Sequence, residues 1–76
     1  MRTVSVQELQ AGQTGRILSI DPDGSMSRRL LDIGLTPGAS ITRLYAAPSG
    51  DPVAYQIRGA VIALRHKDAA HVRLVP

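Results

Sequence analysis

The pattern of apolar and polar residues along the chain is mainly that of short β-strands. Its clearest instance is segment 53–58, where Val53, Tyr55 and Ile57 place large apolar side chains at every second position. That alternation is typical of a strand with one face packed inward and the other in water. Apolar runs of similar length predict four further strands, at 16–20, 39–47, 61–65 and 71–75.

Clusters of turn-forming residues separate the predicted strands. Segment 21–25, Asp-Pro-Asp-Gly-Ser, ends the first strand, and segment 48–52, Pro-Ser-Gly-Asp-Pro, joins two strands into a hairpin. Gly59 separates the second arm of this hairpin from the next strand. The first arm alternates poorly around Arg43, which predicts a β-bulge there.

Segment 26–33 follows a helical period instead. Met26, Leu30 and Ile33 lie on one face of a helix with 3.6 residues per turn, and Ser25 can cap its N-terminus. Gly34 suits the left-handed position after the helix, which predicts that the next residue, Leu35, packs back on the helix. The architecture predicted from these elements is mainly β: a small, strongly bent barrel of about five strands with one short helix inserted after the first.

Two shorter segments predict single helical turns. Ser5 and Glu8 have the spacing of a capping box, in which each side chain binds the backbone N–H of the other residue. Segment 67–70, between the last two strands, is short and polar. The first turn precedes the first predicted strand and the second lies between the last two predicted strands. Neither changes the predicted fold class.

Length and composition favour a binding module. The chain has 76 residues, which we treat as one domain spanning 1–76, and it has no cysteine for a disulfide, thiolate metal site or thiol nucleophile. Its first ten residues lack the apolar run of a signal peptide, and no later run approaches the roughly 20 residues that span a bilayer. We therefore expect a cytoplasmic protein without a cofactor.

The positive charge leaves a nucleic-acid-binding barrel as an alternative. Lys and Arg number nine against six Asp and Glu, which gives a formal charge of +3. Small barrels that bind single strands stack bases on aromatic side chains. Here only Tyr45 and Tyr55 are aromatic, and both lie in hairpin arms, where core or edge packing is expected. We therefore rank this alternative below a protein partner.

Catalytic and metal-binding patterns are weak. The serines lack the Gly-x-Ser-x-Gly turn of a nucleophile, and the sequence predicts no enzyme. His66, Asp68 and His71 are three potential metal ligands within six residues, but positions five apart on a helix point to different faces. We therefore expect no high-affinity metal site, with these three residues as weak candidates.

Several motifs in this order resemble the FeoA family: Arg-Leu-Leu-Asp-Ile-Gly-Leu-Thr-Pro-Gly at 29–38, Gly-Asp-Pro at 50–52 and Ile-Ala-Leu-Arg at 62–65. The match runs from about residue 4 to 75. It implies an SH3-like barrel, a domain that is also similar to the C-terminal module of repressors of the diphtheria-toxin-repressor type. It further implies an accessory role in ferrous-iron uptake through FeoB, a membrane permease whose cytosolic portion carries a GTP-binding domain.

The resemblance carries over no catalytic residue, so we expect function to lie on the surface. Leu31 is an apolar position beside charged neighbours, an arrangement common at protein interfaces. The predicted partner-binding residues are those of the helix and the hairpin tip: Arg28, Arg29, Leu31, Leu35, Ser49 and Asp51. The predicted structural turn residues are Gly34, Pro37, Gly38, Gly50, Pro52 and Gly59.

Two further expectations concern activity and assembly. Arg28 or Arg29 could act as an arginine finger on a GTP-hydrolysing partner, a hypothesis that depends only on the chemistry of that partner. Edge strands such as the hairpin arms can pair between copies, so we expect a monomer or a weak homodimer.

Overall fold

The computed structural model describes residues 3–20, 27–32 and 34–75. For Ser27 and Arg28 it describes the backbone only. Within these ranges, six strands are present: β1 (Val4–Ser5), β2 (Thr14–Ile20), β3 (Ser40–Ala46), β4 (Val53–Ile57), β5 (Ala60–Leu64) and β6 (Val72–Val75). Two α-helices, α1 (Ser27–Asp32) and α2 (His66–Ala69), and a 3-10 turn at Val6–Glu8 complete the described elements. No described helix has the length and apolar character to cross a membrane.

The six strands form one antiparallel sheet in the order β1-β6-β2-β3-β4-β5. The two-residue β1 lies at one end of this order and the five-residue β5 lies at the other. Within the described residues, strand pairing therefore does not close the sheet into a barrel. This corrects the predicted closed barrel, although the mainly β class is confirmed.

Two register shifts bend the sheet. One lies in β2 between Ile17 and Ser19, opposite β6, and the other lies in β3 between Arg43 and Tyr45, opposite β4. The second confirms the bulge predicted near Arg43. A bulge increases local twist, which lets a six-stranded sheet wrap around a small core.

The core is a single apolar cluster enclosed by the curved sheet. Its largest fully buried members come from four strands, from α1 and from the corner after α1: Tyr55, Ile17, Leu30, Leu35, Ile41, Ile57 and Leu74. The inward positions predicted for 53–58 are confirmed, since Val53, Tyr55 and Ile57 are each at most 1% exposed. The outward face is only partly as predicted, because Gln56 and Arg58 are exposed but Ala54 is buried. Burial of such side chains contributes about 1.5–3 kcal/mol each.

The N-terminal capping box is confirmed. Glu8 accepts a hydrogen bond from the Ser5 backbone N–H at 2.8 Å, and the Ser5 hydroxyl accepts from the Gln7 N–H at 3.2 Å. The same hydroxyl donates to the Ala69 carbonyl at 3.3 Å. This short turn therefore joins the start of the chain to α2.

The corner after α1 is the predicted Schellman motif. Leu35 N–H donates to the Leu30 carbonyl at 3.0 Å and Gly34 N–H donates to the Leu31 carbonyl at 3.1 Å. Gly34 has φ +108°, which an L side chain rarely adopts. Because β1 precedes β2, α1 follows the second strand and not the first, and α2 is a second short helix. Segment 21–25, Met26 and Ile33 lie outside the described residues.

Candidate functional site

Helix α1 presents the exposed surface predicted from its sequence. Leu31 is 44% exposed, and Arg29 and Asp32 are exposed beside it. Leu30, one residue earlier, is 1% exposed and lies in the core. The helix therefore separates a core residue from an exposed apolar one, as the period predicted. The side chain of Arg28 lies outside the described part of the chain.

Leu35 was predicted to bind a partner, and its position contradicts that assignment. Its side chain is completely buried in the core cluster. The physical reason is the Schellman motif, which turns the backbone back on α1 and directs the apolar residue after Gly34 inward. Leu35 consequently stabilises the fold and is not available at the surface.

The two predicted residues at the hairpin tip make contacts within the chain. Ser49 Oγ donates to the Asp51 carbonyl at 2.8 Å, which holds the tip together. Asp51 Oδ1 accepts from the His66 backbone N–H at 2.9 Å, and Asp51 Oδ2 lies 3.9 Å from an Arg65 guanidinium nitrogen. Asp51 thus satisfies an N–H group in the first turn of α2, so it has a structural role whether or not it also contacts a partner.

The predicted turn residues lie at turns. Gly34, Gly38, Gly50 and Gly59 all have positive φ. Pro37 directly precedes Gly38 in a turn, and Pro52 lies at a bend two residues after Gly50. At Gly34 a Cβ atom would also lie 3.2 Å from Arg58 Cδ. That arginine donates from Nη2 to Thr36 Oγ1 at 2.8 Å and from Nε to the Gly34 carbonyl at 3.3 Å. The β4–β5 turn therefore holds the corner after α1.

The weak metal candidates do not form a ligand set. His66 is exposed, whereas Asp68 and His71 are partly buried. Over residues 3–20, 27–32 and 34–75, no three His, Cys, Asp or Glu side chains are grouped so that they could hold a metal ion.

A buried polar pair was missed by sequence reasoning. Arg43 and Tyr55 face each other across β3 and β4, and Arg43 Nη1 donates to the Leu9 carbonyl at 2.7 Å. Within the described residues, Arg43 Nε and the Tyr55 hydroxyl are buried without a hydrogen-bond partner. Burial raises the pKa of the Tyr55 hydroxyl above 10.0, partly offset by the Arg43 charge. The alternation of segment 53–58 indicates that Tyr55 points inward, but it gives no signal of the contact with Arg43.

The two tyrosines differ in environment. Tyr55 is completely buried as expected, but Tyr45 is 65% exposed, which contradicts the packing predicted for it. The bulge between Arg43 and Tyr45 changes the alternation of β3, so that the two residues no longer keep the register of a regular strand. Tyr45 is consequently free to contribute to a surface.

Strand β5 carries an apolar surface that the sequence analysis did not single out. Val61 is 58% exposed, and β5 pairs only with β4 among the described strands. A concavity of about 260 Å³ is lined by Val61, Ile62 and Ala63 of β5 together with Tyr45, Ala47, Pro52 and Ala54. The signal that could have indicated this surface is the run Ala-Val-Ile-Ala-Leu at 60–64, which contains no polar residue.

A second concavity joins β5 to α1. Its volume is about 430 Å³, and it is lined by residues of α1, β5 and the start of α2: Arg29, Leu30, Ile62, Ala63, Leu64, Arg65 and Asp68. Apolar side chains therefore lie beside cationic ones, the combination described above for α1. The predicted residue Arg29 and the unpredicted strand β5 share this groove.

Comparison with known proteins gives one family. The model of the FeoA domain matches residues 4–76. A Porphyromonas gingivalis protein described as an Fe(2+) transport protein A/Fe(2+) transporter FeoB fusion protein is 33% identical over 69 residues. That match covers 91% of this chain but only 8% of the fusion protein. The chain therefore corresponds to a small part of that relative.

Solved structures share the fold. A FeoA-like protein from Clostridium acetobutylicum is 25% identical with a TM-score of 0.90, over 99% of this chain and 87% of its own. FeoA from Stenotrophomonas maltophilia, a prokaryotic SH3 domain protein in complex with zinc, is 22% identical with a TM-score of 0.85, over 95% and 89%. A manganese-dependent transcriptional repressor is 20% identical with a TM-score of 0.86, over 96% of this chain and 36% of its own. The sheet is thus SH3-like, and by the match of the family model over residues 4–76 the chain belongs to the FeoA family.

Proposed function

We propose that this chain is a non-catalytic, cytoplasmic accessory protein of ferrous-iron uptake that binds the cytosolic part of a FeoB-type permease. The observation that carries the proposal is the Porphyromonas gingivalis relative, which is described as a fusion of Fe(2+) transport protein A with FeoB in one polypeptide. A covalent link keeps two domains at a high effective concentration, which favours domains that contact each other. When the two are separate chains, the same contact requires a binding surface on each.

The surface of α1 supplies an anchor of the kind that such contacts use. Leu31 is 44% exposed on a helix whose neighbouring residue Leu30 is already in the core. Protein interfaces combine an apolar centre with a polar rim, and a few such residues carry most of the binding free energy. We therefore place Leu31 at the centre of this contact and Arg29 at its rim.

The test is calorimetric titration of the cytosolic part of the organism's FeoB into the chain. Leu31→Asp places a charge at the proposed anchor and should weaken binding more than tenfold, since loss of an anchor typically costs about 2 kcal/mol or more. Leu18→Asp is the matched control, because Leu18 is 40% exposed but lies on β2. Equal affinity of both variants and the wild type would remove α1 from the contact.

The proposal that the chain is non-catalytic has its own test. GTP turnover by the FeoB part is measured with and without the chain, and with Arg29→Ala. Unchanged turnover on addition is expected for a docking module. An increase that Arg29→Ala abolishes would instead support the arginine finger.

A further inference from the structure

Among the described strands, β5 is an edge of the sheet that pairs on one side only. It spans Ala60–Leu64, is the last strand in the sheet order, and contains no polar or charged residue. The opposite edge, β1, has two residues and is short enough to offer little for pairing. Natural proteins usually protect long edges with charges, proline or bulges, because an exposed edge pairs with other strands. An apolar five-residue edge therefore suggests a pairing partner.

The register shows which backbone groups face outward. Ile57 pairs with Ala60 across the two-residue turn formed by Arg58 and Gly59, whose φ values are +49° and +80°. In such hairpins the residues flanking the turn form a hydrogen-bonded pair, and bonded and non-bonded pairs then alternate. Ala60 and Ile62 consequently direct their N–H and C=O groups to β4. Val61 and Ala63 direct theirs away from the sheet.

Both faces of this edge can accommodate apolar side chains. By strand alternation, Val61 and Ala63 lie on one face of β5, and Ile62 and Leu64 lie on the other. Val61, Ile62 and Ala63 line the 260 Å³ concavity, and Ile62, Ala63 and Leu64 line the groove of about 430 Å³ that ends at α1, so both concavities adjoin this edge. A strand added to β5 would place alternate side chains on these two faces.

The charges at the two ends of β5 select the partner. Arg58 lies two residues before the strand, and Arg65 and Lys67 follow it, all three exposed. The carboxylates nearest in position are Asp51, 3.9 Å from Arg65, and Asp68, which is partly buried. If a second copy paired through β5, either strand direction would bring one cationic end against another. A segment with carboxylates on both sides of an apolar stretch would find opposite charges instead. The charge pattern therefore favours a different chain over a second copy.

We propose that β5 accepts an extended segment of the partner as a seventh strand, with apolar residues against the two concavities along this edge and Asp or Glu at both ends. This inference depends on the proposed function, since we assign the segment to the cytosolic part of FeoB. The backbone groups of Val61 and Ala63 supply the hydrogen bonds. Arg58, Arg65 and Lys67 attract the flanking carboxylates, and strand addition of this kind is a common mode of peptide recognition.

Ala63→Pro is the direct test, with Ala63→Ser as its matched control. Proline removes the outward N–H at this position and leaves the β4 pairing intact, whereas serine keeps the N–H at nearly the same size. In titrations with the FeoB cytosolic part, the proline variant should bind at least tenfold more weakly and the serine variant as the wild type does. Equal binding by all three would overturn the inference and leave the proposed function standing. No binding by the wild type would overturn both.

A charge-reversal variant keeps the inference falsifiable if Ala63→Pro fails to fold. Arg65→Glu combined with Lys67→Glu alters only exposed side chains and should also weaken binding at least tenfold at low salt. An unchanged affinity would contradict the carboxylate-flanked segment. Sedimentation of the wild-type chain alone completes the test: a dimer that Ala63→Pro abolishes would overturn the choice of a different chain as the occupant.

Discussion

Arg58 Nη2 donates a hydrogen bond to Thr36 Oγ1 at 2.8 Å, between the turn that joins β4 to β5 and the corner that follows α1. The two residues are 22 positions apart in the sequence. A second bond from Arg58 Nε to the Gly34 carbonyl, at 3.3 Å, strengthens the same connection. The helix with the proposed anchor and the strand with the proposed edge are thereby held in one arrangement.

The hydrogen bond between Arg58 and Thr36 predicts a measurable energetic coupling between substitutions of these two residues. Thr36→Val should lower the free energy of unfolding by about 1 kcal/mol, because it removes one exposed hydrogen bond. Arg58→Ala should lower it by more, because it removes that bond and the bond to the Gly34 carbonyl. The double variant should lose less than the sum, with a coupling energy of about 0.5–1 kcal/mol. Urea denaturation of the four proteins measures it. Additive losses would show that the bond contributes nothing to stability.

The close packing of Gly15 against the core predicts a conflict for any side chain at this position. A Cβ atom at this position would lie 2.9 Å from Cδ1 of the completely buried Leu74. Gly15→Ala should therefore lower the free energy of unfolding by about 1–3 kcal/mol. The same substitution should cost less in a Leu74→Val background, since valine has no Cδ1. A cost that is equal in both backgrounds would assign the loss to the backbone and not to this contact.

The buried hydroxyl of Tyr55 predicts both a stability change and a pH dependence. Tyr55→Phe removes a buried hydroxyl without a hydrogen-bond partner among the described residues, so stability at pH 7 should be unchanged or higher by up to about 1 kcal/mol. Burial raises the pKa of this hydroxyl above 10.0 in the folded chain. The unfolded chain then loses the proton first as the pH rises, so stability should fall above about pH 10.

The comparison with the phenylalanine variant isolates this group. Urea midpoints measured from pH 8 to pH 11 should fall more steeply for the wild type than for Tyr55→Phe, which has no proton to lose. Parallel curves would mean that the hydroxyl has the same pKa in both states.

Two substitutions of Asp51 distinguish a structural role of this residue from a role in binding. Asp51→Ala removes the acceptor for the His66 N–H and should lower stability by about 0.5–1 kcal/mol. Asp51→Asn keeps an oxygen acceptor and loses only the charge that faces Arg65, a surface ion pair worth about 0–1 kcal/mol. Thermal unfolding should therefore distinguish the two variants. If both also bind the FeoB part as the wild type does, the hairpin tip lies outside the contact.

The parts of the fold that local chemistry specifies could be predicted from the sequence. The corner at Gly34, the capping box of Ser5 and Glu8, and the hairpin around Gly50 each depend on residues within a few positions of each other. Their turn and cap chemistry allows few alternatives. The two-residue strand β1 has no such local signal, because only its pairing with β6 defines it.

The exposure of the candidate surface residues was predicted in part, and the errors in that prediction have a common cause. Leu31 was identified from the helical period, but Leu35 was placed on the surface and Tyr45 in the packed interior or at an edge. The direction of each depends on a backbone irregularity, the Schellman turn for Leu35 and the bulge in β3 for Tyr45. The edge position of β5 depends on the order of strands, a relationship between distant segments that apolar alternation does not contain.

The central claim is that the outer surface around α1 and β5 binds another macromolecule. Its most direct test is a titration of the ¹⁵N-labelled chain with the unlabelled cytosolic part of FeoB, followed through the backbone amide resonances. The account predicts that the affected amides cluster at Arg29, Leu31, Val61 and Ala63. Unchanged spectra at saturating partner concentration, or changes confined to β1 and β6, would contradict it.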